Sequence, residues 1–141
     1  MPLTPFHIVA GASVKSMFPR YFSWSVFTLT NILIDTEVLY YLITTGEFSH
    51  KFFHTILGAS LIAIICATLC KPVCELGLIG AFTAAYTHLI LDSVMHADIA
   101  PLSPFTNINN ILGIITIENL QYICLGSFIF GLIIYLVRKY I

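Results

Sequence analysis

Charge is what this sequence has least of. Lysine and arginine together number six, aspartate and glutamate seven, and charged residues fill only 9% of 141 positions. A water-soluble globular domain carries about 25%, so the chain lacks the polar surface that folding in water requires. The basic residues are also scattered singly and the formal net charge is −1, which leaves no basic face for nucleic acid or for acidic partners. Histidines are limited to five, fewer than the histidine clusters of membrane di-iron oxygenases demand. Nor does the N-terminus follow the order of a cleavable signal peptide: Lys15 and Arg20 come late, and Pro2, Pro5 and His7 precede any apolar run. The N-terminal segment is therefore expected to stay in the mature protein.

What is present is apolar. Hydrophobic residues make up 58% of the chain and the mean hydropathy is +0.94, values that call for lipid as the solvent. A spanning helix takes about 20 apolar residues, so four or five membrane segments use up the length, and residues 1–141 form one membrane-embedded domain. Five apolar stretches stand out, roughly 5–18, 21–43, 52–70, 76–95 and 119–137. All are expected to be helices, because an open strand edge leaves backbone groups unsatisfied in hydrocarbon. The fold class is thus all-α: a polytopic membrane helix bundle of four to five helices, the first of them short and interrupted by Lys15.

Aromatic residues flank these stretches (Tyr21, Phe22 and Trp24; Tyr40, Tyr41, Phe52 and Phe53; Tyr135 and Tyr140) as they do at membrane interfaces, and are assigned no chemistry. Cys66, Cys70 and Cys74, spaced by four and closing on Lys71, read as small packing residues. Gly58, Gly77 and Gly80 suit close helix packing within or between chains, so oligomeric state stays open. Lys15, Arg20, Lys71, Arg138 and Lys139 fall on one side and Lys51 alone on the other. The positive-inside rule makes the basic side, with the C-terminus, cytoplasmic.

Ionisable side chains inside membrane helices are costly and mark function when they persist. The sharpest group is His88, Asp92 and His96, which recur every four residues and share one helix stripe, with Asp98 just beyond. His50 and His54 repeat that spacing at the start of the third long stretch, and Asp35 and Glu37 interrupt the second. At about 1.5 Å per residue, His7 and Asp35 lie about 18 and 22 Å above the Pro19–Arg20 turn, while His54, His88 and Asp92 lie about 20 to 26 Å from the same face. The polar residues converge on one layer, towards the outer leaflet. Over it runs the connection from Ala97 to Glu118, with Pro101, Pro104 and several asparagines, a lid or substrate entrance. Its apolar run Ile111 to Ile117 is too short to span and is expected to lie on the membrane surface or dip into it.

Mixed imidazole and carboxylate donors suit zinc first, then manganese or iron. The expected ligands are His7, Asp35, His54, His88 and Asp92; His50 is left between ligand and solvent-facing residue. Glu37, about 200° around the helix from Asp35, is read as a supporting group or a base. His96 and Asp98 either complete the site or hold the loop over it. Haem is disfavoured because acids accompany every histidine cluster. A buried polar network that merely locks helices together explains one pair well, but not the same chemistry on three helices.

Thr4-Pro5-Phe6-His7, Asn31 to Asp35, Phe52-Phe53-His54-Thr55 and His88 to Asp92, followed by Pro101 to Phe105, resemble the LexA-regulated, inner-membrane-associated metal-dependent hydrolase family of bacteria, over nearly the whole stretch from His7 to Phe105. More loosely, the order His7, Asp35, His54, His88, Asp92 is similar to the ligand order of the helical zinc-dependent phospholipase C and single-strand nuclease group. The chain departs from that group in having no histidine after His96. The resemblance implies a hydrolase in the bacterial inner membrane. Joined to the residues, it gives an expectation of one or two divalent ions that acidify a bound water for attack on a phosphoester. His96, Asp98 or Glu37 would serve as base or leaving-group acid, and the substrate would be a membrane lipid or other amphiphile. The alternative is a non-catalytic metal-binding membrane protein, a carrier or sensor; no acidic residue between His54 and Glu75 supplies a through-route for it.

Overall fold

The computed structural model describes residues 4–20, 22–69 and 75–140. Cys70, Lys71, Cys74 and Tyr21, and with them the proposed cysteine stripe, lie outside the described residues. Among the described residues there is no strand, and the chain runs α1 (Thr4–Ala10), α2 (Ala12–Met17), α3 (Trp24–Thr45), α4 (Ile56–Leu69), α5 (Glu75–Met95) and α6 (Ile117–Tyr140). This is the all-α bundle that the composition requires. Trp24–Thr45, Gly77–Met95 and Ile117–Tyr140 are long and apolar enough to cross a membrane. The described part of α4, Ile56–Leu69, has 14 residues and is about 21 Å long.

The short first stretch comes as two helices because the backbone at Gly11 rides against the ring of Phe27, where a Cβ would collide. Ser23 caps α3, its Oγ accepting the Val26 N–H at 3.4 Å. Gly46, at φ 76°, ends the same helix and donates its N–H to the Leu42 carbonyl.

Three helices meet through small side chains. Val26 and Ile34 of α3, Ala59, Ala63, Cys66 and Ala67 of α4, and Ala81 and Ala85 of α5 form one buried cluster. Lipid tails compete equally for apolar surface, so this contact rests on close van der Waals packing, which alanine and glycine permit. On the other flank α6 presses against α2: a Cβ on Gly131 would lie 2.7 Å from the Ala12 carbonyl carbon, and Ser13 and Ser127 share a 2.9 Å hydroxyl hydrogen bond. The Arg138 guanidinium donates to the Ser16 carbonyl at 2.7 Å, while Lys15 donates to the carbonyls of Pro19 and Phe22 at 3.0 and 2.7 Å. These cations therefore gather at one end of the bundle, where α3 begins.

The opposite end is closed by the connection from α5 to α6. Pro101 offers its carbonyl to the first N–H of α4, at Ile56, 2.8 Å away. Asn109 donates its side-chain amide to the carbonyls of Ser93 and His96 at 2.7 and 3.2 Å, and Gly113 N–H reaches the Val94 carbonyl at 2.9 Å. The carbonyls left over at the end of α5 thus tie the loop down on that helix. Ile111 to Ile117 turns across the surface before α6 begins, and Ile114 is exposed.

One element differs from expectation. His50 and His54 do not open a helix; they lie in the irregular segment before α4. The cause is Glu37, whose carboxylate accepts the backbone N–H groups of Lys51 at 2.9 Å and Phe53 at 3.1 Å, while Thr55 caps the helix by accepting the Gly58 N–H at 3.1 Å.

Candidate metal centre

Asp35 and Glu37 arrive from α3, His54 from the segment before α4, His88 and Asp92 from α5, and His7 from α1. Asp35 lies about 18 Å along α3 from its Ser23 cap, at the end away from Lys15 and Arg138. His7, His54, His88 and Asp92 are all buried, as few charged or titratable residues are without partners.

Asp35, His54, His88 and Asp92 each offer one donor atom, and the four atoms lie within 4.8 Å of one another. Nε2 of His88 is 3.2 Å from Asp35 Oδ1 and 3.2 Å from Asp92 Oδ2, and Nε2 of His54 is 3.6 Å from the same Asp92 oxygen. Both Nε2 atoms are buried beside these carboxylate oxygens, close enough to pair with them when protonated. Four ligands at about 2.0 to 2.1 Å from a tetrahedral zinc ion stand about 3.3 Å apart, so the spacing fits a divalent ion.

The histidine tautomers follow from what holds the far side of each ring. Asn31 donates its amide N–H to the Phe27 carbonyl at 2.9 Å, so its Oδ1 is the atom that accepts from His88 Nδ1 at 3.0 Å. Glu37 Oε2 likewise accepts from His54 Nδ1 at 3.3 Å. Each acceptor places a proton on Nδ1 and turns Nε2 inward, the arrangement found behind metal-bound histidines. Glu37 therefore acts from behind His54. It faces two backbone N–H groups and an imidazole. Asn31 was not singled out as a site residue by sequence reasoning; its position one turn before Asp35 on a buried stripe was the available signal.

His7 joins the group as the depth argument anticipates, but from the side. Its Nε2 donates to Asp92 Oδ1 at 3.0 Å, leaving Oδ2 to face the ligand point, and its ring stacks on His88 with centroids 4.1 Å apart and planes 17° from parallel. It orients Asp92 and His88 rather than extending the four-donor set.

His96 and Asp98 follow the end of α5 at Met95, the His96 N–H closing the last turn on the Asp92 carbonyl at 2.8 Å. They gather with His50 into a second group whose donor atoms also lie within 4.8 Å of one another. Asp98 Oδ2 accepts both the backbone N–H and the ring Nδ1–H of His50 at 2.9 Å. Burial raises the Asp98 carboxyl, but these two bonds outweigh it and hold it below its ordinary range. Burial lowers His96, the opposing pull of Asp92 notwithstanding.

No family model matches the chain, and neither a curated protein nor a solved structure shows significant similarity to it.

Proposed function

We propose that the protein is a membrane-embedded hydrolase of the LexA-regulated, inner-membrane metal-dependent type, which cleaves a phosphoester in an amphiphilic substrate with a divalent ion, zinc first among the candidates. The observation that carries this reading is the pair of inward Nε2 atoms on His54 and His88. Both are buried and face carboxylate oxygens 3.2 to 3.6 Å away, within a group of four mixed nitrogen and oxygen donors that lie within 4.8 Å of one another on three separate segments of the chain.

Asp35, His54, His88 and Asp92 would hold a divalent ion, which would supply Lewis acidity for the activation of water. Asp35 is the least enclosed of the four ligands, its side chain 32% exposed, so water and substrate oxygen have access along its edge. Asn31, Glu37 and His7 hold His88, His54 and Asp92 in place, which limits reorganisation during the reaction. Beside α5 an apolar cleft of about 290 Å³ is lined by Tyr86, Leu89, Ile90, Ser93, Leu102 and Ile111. Leu89 and Ser93 directly follow His88 and Asp92 in sequence, so a lipid-like tail in the cleft would lie against the helix that carries the ligands. The basic end of the bundle is assigned to the cytoplasm, with the C-terminus, and the centre to the outer leaflet, because Lys15 and Arg138 sit at the end away from Asp35.

The test is metal content of the detergent-purified chain and of a His88→Ala, Asp92→Ala double variant, followed by hydrolysis assays on phosphoesters with and without an acyl or prenyl tail. Bound metal that the double variant loses, with hydrolysis that follows the metal, supports the reading. Folded wild-type protein without metal defeats it, and metal retained with no hydrolysis of any phosphoester replaces it with the carrier or sensor alternative.

A further inference from the structure

His50, His96 and Asp98, which lie outside the four-donor set, have a geometry of their own. His50 is buried at 6% exposure in the segment before α4, and its ring packs edge-on against His54 with centroids 4.6 Å apart and planes at 81°. Its other neighbour is His96, 4.5 Å away by centroid and tilted by 33°. Asp98 binds His50 twice through one oxygen, once at the backbone and once at the ring, so both the position of the residue and the Nδ1–H tautomer of its imidazole are fixed. The Nε2 lone pair of His50 is thereby left for another partner, by the same arrangement that Asn31 and Glu37 impose on His88 and His54. His96 makes the ring contact with His50 and no side-chain hydrogen bond among the described residues.

We infer that His50, His96 and Asp98 form a second divalent-cation site adjoining the first, with the His54 and His50 rings as the wall between them. The chemistry of the donors is the same mixture of nitrogen and carboxylate oxygen that suits zinc or manganese. The two sites differ in openness. The first has four protein donors and is mostly enclosed. The second has three, one of which, Asp98, is exposed, and two of which, His96 and Asp98, belong to the start of the α5–α6 loop. Three protein ligands leave coordination positions for water or an anionic oxygen, as in catalytic zinc sites. The second ion is thus the one that a phosphate oxygen of the substrate would reach most directly, and this assignment of roles rests on the hydrolase reading. The existence of the second site does not, because its donors stand whether or not the first ion is catalytic.

The experiment is zinc stoichiometry and chelator-competition titration of the full chain in detergent, compared with His96→Phe, Asp98→Ala and the His88→Ala, Asp92→Ala double variant. His96→Phe is the decisive substitution: it keeps an aromatic ring against His50 and removes only the donor nitrogen, so loss of folding does not confuse the result as it would for Asp98, which also holds the His50 backbone. The expected result is two zinc ions per wild-type chain in two binding steps, with His96→Phe keeping one ion and losing the weaker step. One ion per wild-type chain, unchanged in His96→Phe, overturns the second site and leaves the first standing. Two ions retained in His96→Phe overturn it equally. No zinc in folded wild type removes both sites together.

Discussion

Glu37→Gln separates a supporting role from a catalytic one. In the wild type the carboxylate accepts from Lys51 N–H at 2.9 Å, from Phe53 N–H at 3.1 Å and from His54 Nδ1 at 3.3 Å. Glutamine preserves the shape but has one acceptor oxygen where glutamate has two, and its amide nitrogen meets donors. Hydrogen bonds to a charged group contribute about 1.5 to 3 kcal/mol, and loss of the partner behind a metal-bound histidine lowers metal affinity by about 10- to 100-fold. The variant is therefore expected to bind zinc about 10- to 100-fold more weakly, equivalent to about 1.4 to 2.7 kcal/mol, with its remaining affinity still well above that of His54→Ala. Competition with a zinc chelator in detergent reads the constant directly. Were Glu37 the proton acceptor in catalysis, zinc affinity would stay at the wild-type value while turnover of the metal-loaded protein fell; that result refutes the supporting role. An affinity as low as that of His54→Ala would refute it from the other side, since it would make Glu37 a ligand.

Three further outcomes are expected. His7→Phe keeps a ring stacked on His88 but removes the bond to Asp92 Oδ1, so zinc affinity should fall by about 10- to 100-fold in the chelator titration, whereas His88→Ala should abolish tight binding. Zinc should raise the melting temperature of the purified protein, because a ligand present at 100 times its Kd stabilises by about 2.7 kcal/mol; differential scanning fluorimetry should show the rise in wild type, its reversal by chelator, and no rise in the His88→Ala, Asp92→Ala variant. Gly131→Val should cost about 1 to 3 kcal/mol through overpacking against Ala12, read as a lower melting temperature, while Gly126→Ala, with nothing within 4 Å of its added Cβ, should leave it unchanged or higher.

What the sequence determined by itself is whatever depends on neighbours along the chain. With 9% charged residues and hydrocarbon as solvent, the backbone has to satisfy itself, and helices follow wherever the apolar stretches run. The i, i+4 spacing of His88 and Asp92 puts both on one stripe of α5, and they do share a centre. Counting residues from the turns also placed His7, Asp35, His54, His88 and Asp92 in one layer, because the rise per residue of a helix is constant. The same local rule failed at His50 and His54, whose spacing of four is helical in appearance only. Glu37, 14 to 17 positions earlier, captures the N–H groups of Lys51 and Phe53 and the ring of His54, and a local pattern carries no record of that partner. The tertiary structure alone decided which nitrogen of each imidazole faces inward, since Asn31 reaches His88 across 57 positions and Asp98 reaches His50 across 48. It also divided one polar layer into a four-donor and a three-donor group, because Asp98, beyond the end of α5 at Met95, holds His50. Helix periodicity fixes where a side chain starts; the partners that orient its donor atom come from elsewhere in the chain.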